Sequence, residues 1–374
     1  MSKKILVTGG AGFIGSYLVD ALVEKGHDVV ILDLLEPQVH GERQKTPEYL
    51  NTKADFKKGD VRLKENLKDV IENADVIFHE AAQVGVGQSM YEITKYVDHN
   101  SLGTATLLEI LVDEEHDVKK LVVASSMSIY GEGAYRCEGC EEVYPKLRPS
   151  KQLQKRDWEM HCPICENPVS PAPTNEDKPL YPTSIYAVTK RDQEEMCLSV
   201  GFAYGIPTVA LRYFNVYGPR QSLSNPYTGV AAIFSSRIKN DHDLVVYEDG
   251  DQSRDFINIK DIVTSNLLVM ESSKADYESF NVGTGRPTTI NELGETLIRL
   301  YNKPNLKIGY ENKFRSGDIR HCVADISKIK SIGFKPSVSV EQGLSELVSW
   351  GEQVESVDKV ENAAQELREK GLVK

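Results

Sequence analysis

The stretch KILVTGGAGFIG, residues 4–15, decides the fold of this 374-residue chain. Its first half, Lys4–Thr8, is a short apolar and β-branched run, which predicts a buried parallel strand. Residues 16–25 then carry apolar side chains at helical spacing, and a second apolar run, Asp28–Leu32, ends at Asp33. The order of strand, glycine-rich turn, helix and second strand predicts an α/β fold with a doubly wound parallel sheet of the Rossmann type.

Three glycines in this stretch have distinct physical tasks and together predict a dinucleotide site. Gly9 allows the tight turn, Gly12 lets backbone N–H groups approach a pyrophosphate, and Gly15 lets the helix pack closely on the strand. Asp33 can accept both ribose hydroxyls and would repel a 2′-phosphate, so NAD is preferred over NADP. A glycine turn in any β-α unit is the alternative, but the combination with helix, second strand and acid favours nucleotide binding.

The composition bounds the class of protein and its partners. Lys and Arg total 44 and Asp and Glu total 56, which gives a net charge of −12. This balance argues against a nucleic acid or an anionic membrane as partner, because phosphate neutralisation needs clustered basic residues. The apolar runs are shorter than the roughly 20 residues of a membrane span, and the N-terminal run is too short for a signal peptide. We therefore expect a cytoplasmic protein, in which the six cysteines are not a disulfide framework.

Further strands are predicted where apolar runs end in small or polar residues. The run within Asp75–Gln83 ends in Ala81 and Ala82, which can lie against a cofactor. His79 in this run is interpreted as a packed side chain and not as a catalyst. Leu121–Ser126 is predicted to be the next strand, with two hydroxyls at its carboxyl end. Ligands of open α/β sheets bind at that edge.

Tyr186 and Lys190 lie four residues apart, which places both on one face of a helix. A free tyrosine has a pKa of about 10 and is a poor base at neutral pH. An ammonium one turn away and a positively charged nicotinamide favour the phenolate, which can then take a proton from a substrate hydroxyl. Ser126 can share that hydroxyl and position the proton. The spacing also occurs by chance on surface helices, but the glycine motif and the Ser-Ser strand end favour a catalytic site.

Several segments resemble the extended short-chain dehydrogenase/reductase family of nucleotide-sugar epimerases, dehydratases and decarboxylases, over about residues 3–350. These segments are GGAGFIG (9–15), Asn100 with GT at 103–104, SSMSIYG (125–131), YAVTK (186–190), LRYFNVYGPRQ (211–221), RDFINIKD (254–261), NVGTG (281–285) and RSGDIRHCVAD (315–325). The resemblance implies an NAD-dependent enzyme that acts on a nucleotide-diphosphate sugar.

The resemblance also implies a role for individual residues. Three residues would form the catalytic triad, Ser126, Tyr186 and Lys190. The cofactor-binding residues would be Gly9, Gly12, Phe13, Ile14, Gly15, Asp33, Asp60, Val61, Ala81, Ala82, Asn100, Tyr186 and Lys190. The substrate-binding residues would be Ser126, Ser128, Asn215, Arg254, Arg315 and Asp318. A planar guanidinium independently suits a diphosphate, whereas a surface ion pair is the alternative for either arginine.

Two positions after the catalytic serine separate the reactions of this family. The resemblance implies that 4,6-dehydratases carry Asp-Glu where this chain has Met127 and Ser128, that decarboxylases carry Glu at the second position, and that 3,5-epimerases carry Cys there. A serine cannot serve as a second strong acid or base. The residues therefore favour a 4-epimerase, in which a hydride leaves C4, the 4-keto sugar turns over, and the hydride returns to the opposite face. A net oxidoreductase, decarboxylase or dehydratase on the same scaffold and a non-catalytic NAD-binding protein are the alternatives.

An insertion at residues 136–175 carries two CxxC pairs, Cys137 with Cys140 and Cys162 with Cys165. Two such pairs with about twenty residues between them match a structural zinc ribbon. Four thiolates complete a tetrahedral shell, so the metal would fold the loop and not act on substrate. Disulfides, unligated thiols and iron in place of zinc are the alternatives.

The insertion narrows the resemblance to one subgroup. Together with QSLSNPYTGVAAIFSSRI (221–238) and EDGDQSRDF (248–256), it resembles the dTDP-L-rhamnose 4-epimerase-like proteins. Phe214 departs from the Gln expected in that subgroup and matches the wider epimerase family. The activity that the resemblance favours is therefore dTDP-L-rhamnose 4-epimerase, with a UDP-glucose or UDP-glucuronate 4-epimerase as the alternative.

We predict that the chain divides into four parts. The NAD-binding Rossmann domain comprises residues 1–135, 176–216 and about 248–272, with the metal-binding insertion at 136–175. A smaller α/β substrate lobe comprises about residues 217–247 and 273–350. The tail, residues 351–374, is expected to form a solvated surface helix. The resemblance implies a homodimer formed through the helices that start near Asn100 and Tyr186.

Overall fold

A computed structural model describes residues 2–311 and 313–373 of the chain. The strands are β1 (Lys4–Thr8), β2 (Asp28–Asp33), β3 (Asp55–Lys58), β4 (Val76–His79), β5 (Lys120–Ser126), β6 (Ala134–Cys137), β7 (Glu141–Val143), β8 (Ser170–Ala172), β9 (Thr208–Tyr213), β10 (Asn215–Tyr217), β11 (Leu244–Tyr247), β12 (Ser253–Asn258), β13 (Glu278–Val282), β14 (Pro287–Thr289), β15 (Ile308–Glu311) and β16 (His321–Cys322). The α-helices are α1 (Phe13–Glu24), α2 (Pro37–His40), α3 (Lys64–Ile71), α4 (Val86–Ser89), α5 (Ile93–Tyr96), α6 (Gly103–Asp113), α7 (Ser150–Leu153), α8 (Ile185–Tyr204), α9 (Val230–Lys239), α10 (Ile259–Glu271), α11 (Ile290–Leu300), α12 (Ser327–Ser331), α13 (Val340–Gly351) and α14 (Val360–Glu369). A π-helical segment, Val97–Leu102, joins α5 to α6.

Within the described residues, one parallel sheet has seven strands in the order β13, β9, β5, β4, β1, β2, β3. Strand β1 lies between β2 and β4, with Thr8 beside Leu32 on one side and His79 on the other. Because the chain winds outward from β1 in both directions, a crevice opens at the carboxyl ends of β1 and β4. This is the doubly wound Rossmann-type sheet that the sequence predicts.

The main sheet is buried on both faces, which explains why its strands read as continuous apolar runs. Helices α1 and α10 pack together on one face, where Leu18 and Ile262 are fully buried. Helices α3, α6 and α8 cover the other face, where Leu67, Leu107 and Cys197 are fully buried. These two layers fix the strand ends that carry the polar side chains of the cavity.

Helix α8, which carries the Tyr-Lys motif, has well-defined ends. The Ser184 side chain accepts a hydrogen bond from the Ala187 N–H at 3.1 Å, which caps the first turn. Gly205 follows the last turn with a φ of +70°, a backbone conformation that favours glycine. The N-terminal cap places Tyr186 in the first turn of the helix, beside the carboxyl end of β5.

A smaller lobe lies over the crevice and has its own core. Strand β12 pairs with β10, β14 and β16, and β11 pairs with β15. Helices α9, α11 and α13 enclose this core with Phe234, Leu293 and Leu344. The division differs from the predicted one at two strands, because β12 joins the small sheet and β13 joins the main sheet. The sheet that each of these strands joins is set by contacts between segments distant in the chain.

The insertion forms a small three-stranded antiparallel sheet in the order β7, β6, β8. Its core contains two of the cysteines together with Tyr135, Val143 and Met160. Across residues 2–311 and 313–373, every helix falls short of the length or hydrophobicity that a membrane crossing demands.

Candidate active site

The glycine-rich turn between β1 and α1 forms one wall of a cavity at the carboxyl edge of the main sheet. Gly9 has a φ of +70°, and a Cβ on it would lie 2.8 Å from the Ala81 backbone nitrogen. A Cβ on Gly15 would lie 2.7 Å from the Gly10 Cα, so close helix packing requires glycine here. Gly12 caps α1 and lines the cavity. The result is a backbone cradle at a helix N-terminus, which suits a pyrophosphate.

Two acids at strand ends line the same cavity. The Asp33 carboxylate accepts the Ala11 N–H at 3.0 Å and the Leu35 N–H at 2.8 Å, which fixes its orientation. Asp60 pairs with Arg62 at 2.5 Å. Burial raises the pKa of Asp60, but hydrogen bonds from Arg62 outweigh burial and hold the pKa below its usual range. Asp60 is therefore an ionised acceptor in the cavity wall.

The catalytic residues implied by the resemblance converge on one side of the cavity. The Ser126 and Ser128 hydroxyls lie 2.9 Å apart at the end of β5. Burial raises the pKa of the Tyr186 phenol, and a hydrogen bond with Ser126 acts against this rise. The phenolate therefore needs a positive charge nearby to form at neutral pH.

Lys190 lines the same cavity and lies in a buried hydrogen-bond network. Its Nζ donates to the Ala124 carbonyl at 2.6 Å and to Gln193 Oε1 at 2.8 Å. Burial lowers the pKa of Lys190 to about 8, and the nearby carboxylate of Glu80 opposes this shift. Glu80 follows β4 directly and accepts the Tyr213 hydroxyl at 2.9 Å, and burial raises the pKa of Glu80 to about 7. The cavity thus contains a titratable acid, Glu80, whose charge acts on Lys190 and which the sequence analysis missed.

Asn100 lies behind the cavity wall and not in it. It is fully buried, accepts the Gln83 N–H at 2.7 Å and donates to the Thr189 hydroxyl at 2.9 Å. It therefore ties the segment after β4, which lines the cavity, to α8. His79 is packed as predicted, because its ring nitrogens contact threonine hydroxyls 2.8 and 2.9 Å away. Burial lowers the pKa of His79 to about 3.

The other predicted substrate residues, Asn215, Arg254, Arg315 and Asp318, line the same cavity. Arg254 donates to the backbone carbonyls of residues 319–320 at 2.8 and 2.9 Å. Arg315 Nε lies 3.4 Å from Asp318, yet it is buried without a hydrogen-bond acceptor among the described residues. Asn215 Oδ1 is also buried without a donor in this part of the chain. Buried polar atoms of this kind are satisfied by a polar ligand or by water, so both groups fit a phosphorylated sugar.

The cavity has a volume of about 690 Å³, within the range of natural ligand sites. Every predicted catalytic, cofactor-binding and substrate-binding residue lines it, with the exception of Asn100. Sequence reasoning missed other wall residues, which are Glu80, Tyr213, Tyr227, Tyr247 and several side chains of α14.

The tail corrects one sequence-based expectation, because α14 is not a solvated surface helix. Ala363 and Leu367 are only 7% and 6% exposed, and Ala364 and Leu367 line the cavity. The narrow apolar stripe of this helix faces the turn at Gly87, whose Cβ position would lie 3.3 Å from Leu367. The sequence gives no indication of this partner, which lies 280 positions earlier.

The four paired cysteines come together in the insertion. Their Sγ atoms all lie within 4.8 Å of one another, and Cys137 and Cys165 are 3.5 Å apart. Tetrahedral zinc with Zn–S bonds of about 2.3 Å requires sulfur separations of about 3.8 Å. The donor set and its spacing therefore fit a four-thiolate metal site.

The insertion also supports the substrate side of the cavity through buried charges. Arg148 contacts Glu248 at 2.8 Å, and Glu159 contacts Arg320 at 2.5 Å. Arg320 has no solvent exposure, and its backbone carbonyl is one of those that hold Arg254. The insertion therefore helps to fix the segment against which Arg254 lies.

The fold and the cavity together define a nicotinamide-dinucleotide-dependent enzyme of the type with a Tyr-Lys catalytic pair. The chain belongs to the NAD dependent epimerase/dehydratase family, whose profile matches residues 5–152 and 165–283. The unmatched residues 153–164 lie within the insertion and include Cys162. This match confirms the extended short-chain dehydrogenase/reductase assignment and the prediction that the chain is an enzyme of the nucleotide-sugar epimerase class.

Curated relatives match over almost their whole length. A dTDP-L-rhamnose 4-epimerase from Burkholderia thailandensis is 34% identical over 351 residues, 93% of this chain and 94% of the relative. A UDP-N-acetyl-alpha-D-glucosaminuronate decarboxylase from Bacillus cytotoxicus is 29% identical over 95% of this chain and all of the relative. Both epimerases and decarboxylases are therefore among the similar proteins.

Solved structures confirm the fold. A UDP-glucose 4-epimerase from Thermotoga maritima with UDP-glucose is 32% identical, with a TM-score of 0.75 over 94% of this chain and 99% of that one. A UDP-glucuronic acid 4-epimerase from Bacillus cereus in complex with UDP-glucuronic acid and NAD is 28% identical, with a TM-score of 0.74 over the same shares.

Proposed function

We propose that the protein is an NAD-dependent nucleotide-sugar 4-epimerase that acts by transient oxidation at C4. The observation that carries the proposal is that Ser126, Tyr186 and Lys190 line one cavity. By the resemblance, Met127 and Ser128 stand where dehydratases carry Asp-Glu, and Ser128 stands where decarboxylases carry Glu. Such a site has one group that exchanges a proton with a substrate hydroxyl. A single oxidation followed by a single reduction at C4 needs only this one acid-base group.

In the proposed reaction, bound NAD would accept the hydride from C4 and later return it. The Tyr186 phenolate takes the proton of the C4 hydroxyl, which Ser126 orients, and later returns it to the same oxygen. Lys190 stabilises the phenolate by its charge. Arg254 and Arg315 hold the diphosphate, which leaves the sugar free to turn over between oxidation and return.

The substrate we propose is dTDP-L-rhamnose, which would be converted to its C4 epimer, dTDP-6-deoxy-L-talose. The Cys-rich insertion and the relative from Burkholderia thailandensis support this choice. UDP-glucose or UDP-glucuronate is the alternative substrate, supported by the solved relatives. A decarboxylase on the same scaffold is favoured only by the similarity to the Bacillus cytotoxicus protein.

NMR of the enzyme with individual nucleotide sugars tests the proposal. With dTDP-L-rhamnose we expect an equilibrium mixture of two C4 epimers, without net NADH at 340 nm and without release of carbon dioxide. Turnover of UDP-glucose or UDP-glucuronate, without turnover of dTDP-L-rhamnose, would overturn the proposed substrate but not the proposed 4-epimerase reaction. Stoichiometric NADH or carbon dioxide would overturn the epimerase. The control is Tyr186→Phe, for which we expect a loss of kcat of about 100-fold or more.

We also propose that the four cysteines bind one structural zinc ion, with iron as the competing metal. The support is the donor set, since four clustered thiols without disulfide bonds fit a closed tetrahedral shell. Such thiols suit a reducing compartment, which supports the cytoplasm as the proposed location.

A further inference from the structure

The C-terminal segment 358–373, which we call the C-terminal cap, lies against the substrate side of the cavity. Its helix α14 directs Ala364 and Leu367 into the cavity wall. Leu367 and the guanidinium of Arg315 lie 3.3 and 3.6 Å from the position that a Cβ on Gly87 would take. The cap also pairs with the backbone of the arginine that is proposed to bind the diphosphate, because Arg315 and Val373 form an antiparallel β-bridge.

Polar contacts attach the cap to two walls of the cavity. The Tyr227 hydroxyl donates to Glu366 at 2.6 Å, and the Tyr91 hydroxyl donates to Tyr227 at 2.7 Å. At the end of the cap, the Ser316 N–H donates to the Leu372 carbonyl at 2.8 Å, directly beside Arg315. The cap is therefore bonded to the same segment that carries the substrate-binding arginine.

The buried apolar contact of the cap is small. Of its apolar side chains, Ala363, Leu367 and Val373 are the buried ones. At its N-terminal end, Asp358 contacts Arg237 at 3.4 Å and His242 at 2.7 Å. A helix with so small an apolar contact opens locally at low free-energy cost, while anchors at both ends return it to one position.

We propose that the C-terminal cap closes over the bound nucleotide sugar and that Leu367 is a specificity-determining side chain of the substrate site. The inference rests on the proposed function, since it takes the ligand of Arg315 to be a nucleotide diphosphate sugar. The apolar side chains of the cap exclude water from the diphosphate side of the cavity. They leave the hydrogen bonding to Arg254, Arg315 and Asn215.

Hydrogen–deuterium exchange of the full-length enzyme with NAD tests the closure directly. The probes are dTDP-L-rhamnose, dTDP and UDP-glucose at saturating concentration. We expect amide exchange in residues 358–373 to slow several-fold with a nucleotide sugar, together with residues 253–258. Protection of residues 253–258 without protection of the cap would overturn the proposed closure of the cap but not the proposed function. Absence of protection in both segments with every probe would overturn the nucleotide-sugar site itself.

Two variants test the side chains, with an exposed residue of the same helix as the control. We expect Leu367→Ala to raise KM for the nucleotide sugar about tenfold with a smaller change in kcat. Glu366→Ala, which removes the contact with Tyr227, should speed amide exchange of the cap and raise KM without changing the fold of the sheet. Asn362→Ala, on the exposed face of α14, should leave both constants unchanged. Equal KM values for all three variants and the wild type would overturn the proposal.

Discussion

At the scale of single residues, Lys190 and Glu80 line the same cavity, and the charge of each affects the pKa of the other. Burial lowers the pKa of Lys190 to about 8, and the charge of Glu80 raises it. Burial in turn raises the pKa of Glu80 to about 7. The charge of Glu80, which follows β4, therefore helps to keep Lys190 on α8 protonated at neutral pH.

Glu80→Gln removes that carboxylate without changing the shape of the side chain. Because Lys190 then loses the charge that raises its pKa, the ammonium deprotonates at lower pH. We expect the alkaline limb of the kcat profile to move down by about one pH unit or more. The measurement is kcat of the epimerase between pH 6 and 9.5, with NAD saturating throughout.

The matched control for this substitution is Glu65→Gln, an exposed acid in the first turn of α3. Its pH profile should coincide with that of the wild type. An unchanged alkaline limb in Glu80→Gln, with normal thermal stability, would show that Glu80 does not act on Lys190.

The residues of the site differ in how far the sequence reveals them. The glycines, Asp33 and the Tyr-Lys pair have fixed spacing within one β-α unit or one helical turn, so a linear pattern contains them. A linear pattern does not reveal Glu80, because its importance depends on Lys190, which is 110 positions away and on another element. The sequence likewise predicts Asn100 as important, but its buried side chain and its contact with Thr189 are visible only in the fold.

At the scale of elements, the insertion is a separate small unit that supports the substrate side. Its core is limited to a few apolar side chains and two cysteines, Cys137 and Cys162. A core of that size needs an additional constraint to be stable, such as a metal. Through Glu159 and Arg320 the same unit holds the segment that positions Arg254.

Cys162→Ser is expected to remove zinc and loosen the insertion without unfolding the main sheet. Metal content should fall from one zinc per chain to much less than one, measured by plasma mass spectrometry. KM for the nucleotide sugar should rise, because Arg254 loses its fixed support, while the affinity for NAD stays the same. Thermal unfolding should show an early, small transition in addition to the main one.

Cys197→Ser provides the control, since this thiol is buried between α8 and the sheet, outside the cysteine cluster. It should keep the full metal content and the wild-type KM. Wild-type protein purified without chelators and found with neither zinc nor iron would refute the metal site. A full metal content with an unchanged KM in Cys162→Ser would refute the link to Arg254.

At the scale of the whole molecule, the sequence predicts the large sheet better than the small lobe. The inner strands of the large sheet are buried apolar runs between helices, and their order follows from the rules of β-α connection. The small sheet pairs β12 with β16, although Arg254 and Cys322 are far apart in the chain. No local pattern encodes such a pairing. The position of the C-terminal segment, where Val373 pairs with Arg315, is likewise not encoded by a local pattern.

The surface retains an apolar face that the single chain does not cover. Along α5, the π-helical segment and α8, Ile93, Val97, Leu102 and Val188 are 49%, 41%, 50% and 39% exposed. These elements pack side by side. An exposed apolar face of this kind is typical of a protein interface, which supports the homodimer predicted through these helices.

Leu102→Glu should convert that dimer into monomers, because the substitution places a charge where a self-complementary interface would bury an apolar side chain. Light scattering coupled to size exclusion should give about 84 kDa for the wild type, twice the 41.8 kDa of one chain, and half that mass for the variant. Phe202→Ser, at the far end of α8 and 78% exposed, is the control and should remain dimeric. A wild-type protein that is monomeric at tens of micromolar would exclude the homodimer. A dimeric Leu102→Glu variant would show that the dimer forms through a different surface. Because the interface and the catalytic helix share α8, the same samples also show by their kcat whether the dimer supports the position of Tyr186.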